Sequence, residues 1–231
     1  MKNVQLSGLS YLCAVLKIKV KANSITNLTD ARYFAAREVT WMGFCLDPAS
    51  ENYVAPPQVS AMCEWLDGVK FVGEFPLTDA VEVLELAEEL SLDAVQVHRF
   101  TTLEDLEELQ RRIPLIQEVV LAPEEDPTAL LAWMNSREAL VEAFLLDFGK
   151  NRIAWKEDPV WSEWLKMVCK NHPVILNADF EAVLLPEILD SLPLYGLAVQ
   201  GGEEEQIGVK SFDELDSLLE VLEIDEEHAV E

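Results

Sequence analysis

The chain has 231 residues, half of them hydrophobic, and carries 43 acidic against 17 basic side chains for a formal net charge of −26. So acidic a surface repels nucleic acid and anionic membranes and does not steer phosphorylated substrates, although solubility alone also accounts for it. No run approaches the 18 or so apolar residues of a membrane span, and Met1 to Leu16 lacks a basic start and a cleavage pattern, so a cytoplasmic protein is expected.

The chain then alternates between short apolar runs and amphipathic segments. Lys19-Val20-Lys21-Ala22 has a period of two and ends at Asn23-Ser24, and Thr29 and Asp30 signal a helix running to about Glu38. Thr40 to Leu46 is a second strand, and the Pro56-Pro57 pair opens a helix to about Leu66, proline being favoured where the first N–H has no partner. Val69 to Phe75 is a third strand, followed by a helix capped by Thr78 and ending at Leu90. Ala94 to His98, Leu115 to Leu121 and Ala143 to Asp147 are the next strands; the helices after them span Thr102 to Arg111, Asp126 or Thr128 to Met134, and Pro159 to Lys170. Pro173 to Asn177 and Tyr195 to Gln200 complete the strands, with helices around Leu185 to Ser191 and from Phe212 to Leu222.

Eight strand–helix pairs at spacings of roughly 20 to 30 residues match the size of a βα unit. Runs that are apolar throughout suit strands covered on both faces. No GxGxxG follows the first strand to favour an open sheet. The expected fold is a single (β/α)8 barrel over residues 17–222, with an N-terminal extension (1–16) packed on it and an acidic tail (223–231). Cys13, Cys45, Cys63 and Cys169 are scattered without a CxxC pair and read as free thiols, and His98, His172 and His228 do not make a metal site. Trp155, Trp161 and Trp164 read as packing residues.

In such a barrel the chemistry sits just after each strand. Those positions hold Asn23-Ser24, Asp47, Glu74, His98-Arg99, Ala122, Asp147, Asn177-Ala178-Asp179 and Gln200-Gly201-Gly202. An inward Lys21 needs a carboxylate partner, for which Asp47 and Asp147 are the candidates. His98 reads as a residue bonded to a neighbouring loop before it reads as a ligand contact.

Ile25-Thr26-Asn27-Leu28-Thr29-Asp30-Ala31, Gly43-Phe44 with Pro48-Ala49-Ser50 and Tyr53-Val54, Leu90 to His98, Phe144 to Asp147 and Gly208-Val209-Lys210 together resemble the phosphoribosylanthranilate isomerase family over about Lys17 to Leu222. The resemblance implies a barrel that catalyses an Amadori rearrangement in tryptophan biosynthesis without a cofactor. It implies a base, a cysteine after strand one, and an acid, an aspartate after strand six, on opposite sides of the bound sugar. An arginine in the loop after strand two holds the anthranilate carboxylate, and glycine-rich turns after strands seven and eight hold the phosphate.

Laid on this chain, the Lys-Ile-Cys-Gly-Ile-Thr of the family stands as Lys21-Ala22-Asn23-Ser24-Ile25-Thr26, so the base position is Asn23, whose amide accepts no proton near neutral pH. Cys13 lies too far upstream to replace it. The acid position is kept as Asp147, although with no base opposite it a loop-anchoring role comes first. The arginine position is Asn52, which cannot pair bidentately with a carboxylate. The phosphate glycines become Ala178-Asp179, where Asp179 would occupy a helix N-terminus and repel a dianion. Gly201-Gly202 survive beside Glu203-Glu204-Glu205, and Lys150 and Arg152 remain after strand six.

The expectation is a barrel that has lost this chemistry and serves as a binding or interaction module, with substrate-binding positions at Lys21, Asn52, His98, Ala178, Asp179, Gly201 and Gly202. The alternative is a divergent working isomerase or a related sugar-phosphate enzyme. The expected partners are a small molecule at the barrel mouth or another protein, and neither nucleic acid nor membrane.

Overall fold

The computed structural model describes residues 16–76, 78–201, 204–206 and 209–224. The expected N-terminal extension, save Leu16, and most of the acidic tail therefore lie outside the described residues, as do Cys13, Gly202, Glu203, Gly208 and His228.

Eight parallel strands close on themselves in chain order: β1 (Lys19–Asn23), β2 (Trp41–Cys45), β3 (Lys70–Phe75), β4 (Ala94–His98), β5 (Leu115–Val120), β6 (Ala143–Asp147), β7 (Val174–Asn177) and β8 (Gly196–Gln200). Pairing of β8 with β1, in the register Val20↔Leu197 and Asn23↔Gln200, closes the cylinder. The helices between and after them are α1 (Leu28–Ala36), α2 (Pro56–Cys63), α3 (Ala80–Glu89), α4 (Leu103–Gln110), α5 (Pro127–Asn135), α6 (Pro159–Asn171), α7 (Leu185–Ser191) and α8 (Asp213–Leu222). The fold is the expected (β/α)8 barrel. Two features were not read from the sequence: a 3-10 turn at Glu138–Leu140, and a short antiparallel hairpin of β9 (Glu204–Gln206) and β10 (Val209–Lys210) ahead of α8.

The two faces of each strand enter different cores, because successive side chains point to opposite sides. Val20, Ala22, Met42, Phe44, Leu146 and Leu176 belong to the large cluster between sheet and helices. Trp41, Val72, Ala94, Ile116, Ala143, Leu145, Ile175 and Ala198 form a separate cluster drawn from seven of the eight strands, which fills the barrel interior. Lys21 pairs in register with both Trp41 and Ala198, so it shares their inward face. Towards the strands' C-terminal ends this same face turns polar, and that change of character creates the site.

Helix starts are set by side-chain caps that differ in detail from those expected. Asn27, not Thr29 or Asp30, caps α1 through its Oδ1, which accepts from Asp30 N at 3.0 Å. Asp79, not Thr78, caps α3 by accepting from Val81 N and Glu82 N. Thr102 caps α4 and Asp126 caps α5.

The first and last helices are tied together. Tyr33 stacks on Phe212 with ring centroids 4.0 Å apart, and Arg37 pairs with both Asp216 and Glu223. Trp155, Trp161 and Trp164 are buried, and Trp164 donates from Nε1 to the Pro127 carbonyl at 2.9 Å, in agreement with a packing role. Cys45, Cys63 and Cys169 are free thiols. Among the described residues, no helix is long and apolar enough to cross a membrane.

Candidate functional site

A cavity of about 1020 Å³ opens at the C-terminal mouth of the barrel. Every strand contributes to it: Asn23, Cys45, Glu74, Gln96, Glu118, Asp147, Asn177 and Gln200 lie on β1 to β8 in turn. Of the positions expected to form a site, Asn23, Asn52, Asp147, Ala178, Asp179 and Gly201 line this cavity. Gly202 lies outside the described residues. Lys21 sits beneath the cavity floor, and His98 is not among the lining residues.

The floor is organised by Lys21, which is fully buried. Its partner is neither Asp47 nor Asp147 but Glu74, two strands away, with Nζ 2.5 Å from Oε1. Gly43 on the intervening β2 makes the contact possible: a Cβ there would lie 1.9 Å from Glu74 Oε1 and 2.7 Å from Lys21 Nζ. Asp47 instead turns the loop after β2, its Oδ1 accepting from Ala49 N at 2.9 Å. Lys21 Nζ also donates to Asn23 Oδ1 at 2.7 Å. Ser24, in the left-handed region at φ 49°, donates to Glu74 from both its backbone N (3.2 Å) and its Oγ (2.7 Å). The end of β1 is thus a closed network in which the Glu74 carboxylate serves three donors.

Asp147, buried at the end of β6, accepts from Lys150 N at 2.9 Å and so holds the loop that follows. It combines a loop-anchoring role with a place on the cavity wall. Of the two basic residues after β6, Lys150 lines the cavity and Arg152 does not. Asn52, in the loop after β2, is held by its backbone N donating to Ser50 Oγ at 3.2 Å. Asp179 is exposed and belongs to the loop after β7; α7 begins only at Leu185, so this carboxylate does not sit at a helix N-terminus. His98 packs on Phe100 with centroids 4.8 Å apart, and its Nδ1 accepts from Phe100 N at 3.4 Å. Burial, together with Arg99 and Lys150, pushes its pKa down.

Sequence reasoning missed Glu118, Gln96 and Cys45. Glu118 lies on β5 with the inward parity of Ile116, and a charged residue at that parity was the available signal. Burial, reinforced by Glu74 and Asp147, pushes its carboxyl up to about 7 in spite of Lys21 and Lys150. It therefore exchanges a proton near neutral pH. Among the described residues, Glu51, Glu74, Glu118, Asp147, Asp179 and Glu214 bring six carboxyl groups to the cavity, and Lys150 brings one ammonium.

A closed eight-stranded barrel with its polar cavity at the C-terminal mouth defines an enzyme-type (β/α)8 scaffold. The N-(5'phosphoribosyl)anthranilate (PRA) isomerase family model matches residues 20–221, and the chain belongs to that family. It is 25% identical over 201 residues to N-(5'-phosphoribosyl)anthranilate isomerase of Thermotoga maritima, covering 86% of this chain and 95% of that protein. It is 26% identical over 199 residues to the Aquifex aeolicus isomerase, covering 84% and 93%. The crystal structure of phosphoribosyl anthranilate isomerase from Thermus thermophilus superposes with a TM-score of 0.71 at 32% identity, covering 89% of this chain and 98% of that one.

Proposed function

We propose that this chain is a phosphoribosylanthranilate isomerase-family barrel that does not catalyse the Amadori rearrangement and uses its cavity as a binding site. The observation that carries the reading is Asn23. It occupies the position where the resemblance places the base, and its carboxamide oxygen is taken up by Lys21 Nζ at 2.7 Å. An amide so placed neither accepts the C2 proton nor frees the lysine to do so.

Electrostatics supports the same reading. The isomerase substrate carries a phosphate and a carboxylate, whereas five carboxyl groups besides the Lys21-paired Glu74, and one ammonium, meet it here among the described residues. Two unit charges about 5 Å apart interact by about 0.8 kcal/mol in water and about 3 kcal/mol at an effective dielectric of 20. For exposed Asp179 the lower figure applies, so that residue alone weakens phosphate binding without abolishing it. The sum over the mouth, with Asn52 in place of an arginine, is what disfavours the substrate. The absence of pairing among Cys45, Cys63 and Cys169 supports a reducing, cytoplasmic setting.

The test is an isomerase assay on the purified protein, alongside rescue of a strain that lacks the enzyme. No turnover is expected; conversion of phosphoribosylanthranilate would overturn the reading. A second reading, a divergent active isomerase or related sugar-phosphate enzyme, is favoured by one observation: Glu118 and Cys45 place a proton-exchanging carboxyl and a thiol in the same cavity as Asp147. Under that reading, turnover is present and is lost in Glu118→Gln or Cys45→Ser.

A further inference from the structure

We propose that the cavity takes a positively charged, hydroxyl-bearing small molecule, an amine-substituted polyol, in place of the phosphorylated substrate of its relatives. This rests on the reading that the cavity has been kept for binding without the isomerase chemistry.

Three observations converge. Of the carboxyl groups lining the mouth, Glu74 is already paired with Lys21, and the other five meet one ammonium, Lys150, among the described residues, so a ligand cation relieves repulsion that the protein leaves in place. Lys21 does not help, because it is buried and already paired with Glu74. Second, Gln96 lines the cavity while only 6% exposed, and its Oε1 has no hydrogen-bond partner among the described residues. A buried acceptor without a donor is costly, and a ligand N–H or O–H that reaches Gln96 would satisfy it. Third, Asn23, Asn52, Gln96, Asn177 and Gln200 give the wall five carboxamides. Carboxamides donate and accept at once, which matches a row of hydroxyl groups and gives no preference for a phosphate. The volume, about 1020 Å³, lies at the upper end for small-molecule sites and admits a chain of six or so heavy-atom centres with its hydration.

A phosphate ester is the ligand this wall disfavours. Its dianion would meet Lys150 and the amide N–H groups as donors, but also the repulsion of the carboxylates that line the same wall. An apolar ligand would leave both the amides and Gln96 unserved.

The experiment is a calorimetric titration of the full chain at pH 8 with three probes that differ in one terminal group: 1-amino-1-deoxysorbitol, sorbitol and sorbitol 6-phosphate. The amine is expected to bind at least tenfold more tightly than sorbitol, and the phosphate ester more weakly than either. The Glu51→Gln/Glu214→Gln variant changes two exposed rim positions, and it should weaken the amine several-fold more than it weakens sorbitol. Gln96→Leu, checked for folding by circular dichroism, should weaken the amine and sorbitol alike. Equal binding of amine and sorbitol, tighter binding of the phosphate ester, or no heat with the amine at millimolar concentration overturns the proposal. The isomerase assay on the same preparation separates the two readings. Turnover together with amine preference removes the loss of catalysis and keeps the ligand class; no turnover with phosphate preference does the reverse.

Discussion

Lys21 and Glu74 form a salt bridge inside the barrel at 2.5 Å, across a strand that carries glycine at the crossing point. The pair lies in the layer where the apolar interior gives way to the cavity, and Ser24 and Asn23 are both bonded to it. Desolvating two charges is repaid only with good geometry and further hydrogen bonds, and here Lys21 Nζ has two acceptors while the Glu74 carboxylate has three donors.

Removing one member strands the other. Glu74→Gln is expected to cost about 3–5 kcal/mol in denaturant unfolding, as for other buried pairs broken on one side. Lys21→Met/Glu74→Leu should lose much less than the sum of the single changes, because no charge is then left unpaired. Gly43→Ala tests the same geometry from outside: its Cβ would stand 1.9 Å from Glu74 Oε1, so the pair must move, and a loss comparable to Glu74→Gln is expected. A neutral Gly43→Ala would contradict this account.

Ser24→Gly sets two effects against each other. Relief of the left-handed backbone at φ 49° favours glycine by about 1–2 kcal/mol. Loss of the Oγ bond to a charged carboxylate, 2.7 Å long, costs about 1.5–3 kcal/mol. The hydrogen bond is expected to win narrowly, giving a net destabilisation of about 1 kcal/mol by urea melting. A stabilised variant would mean that backbone strain dominates at this turn.

How much of this was legible depended on how local the information was. Ala94–His98 and Ala143–Asp147 are the strands as read from sequence, because each is a short, mostly apolar segment bounded by a polar residue at both ends. The start of α1 was misplaced because Asn27, Thr29 and Asp30 are all cap formers, and only backbone geometry chooses among them. α2 ends at Cys63, earlier than its composition implies. That Lys21 is inward and needs a carboxylate follows from alternation. That the carboxylate is Glu74 does not, because it depends on the space left over Gly43 by a strand paired to both neighbours. Glu118 went unremarked because β5 was read only as a strand, without asking which face each residue takes, although its parity with Ile116 placed it inside.

Glu118 makes stability depend on pH in a direction opposite to most carboxylates. Its pKa in the folded chain is pushed up to about 7, above the ordinary value of 4.5. The fold therefore holds the proton more tightly than the unfolded chain, and the associated stability, complete below about pH 4.5, is lost as pH rises through 7. The groups acting on it are Glu74 from β3 and Asp147 from β6, which raise it, and Lys21 from β1 and Lys150, which lower it; His98 of β4 is its register partner. The full effect is on the order of 3 kcal/mol, reduced by the solvent that reaches the cavity wall. Glu118→Gln should match the parent near pH 5 and exceed it by about 1–3 kcal/mol at pH 8.5 in paired denaturant curves. Parallel pH profiles for the two proteins would show that this carboxyl ionises normally.

Installing the two side chains that the resemblance places at Asn23 and Asn52 separates chemistry from binding. Asn23→Cys returns a thiol to the end of β1, in the position whose oxygen now accepts from Lys21 Nζ at 2.7 Å. An ammonium at that distance favours the thiolate, so the new group should titrate below an ordinary cysteine, which iodoacetamide labelling against pH can read. Asn52→Arg adds a fork able to grip the anthranilate carboxylate. Even together these changes leave Asp179 on the loop after β7 and five further carboxyl groups lining the cavity. The double variant is therefore expected to show a reactive thiol but no isomerase turnover, and adding Asp179→Gly should strengthen binding of inorganic phosphate only a few-fold. Activity in the double variant alone would mean that Lys150 and the Gly201 turn already hold the phosphate, and that the acidic mouth is no barrier to it.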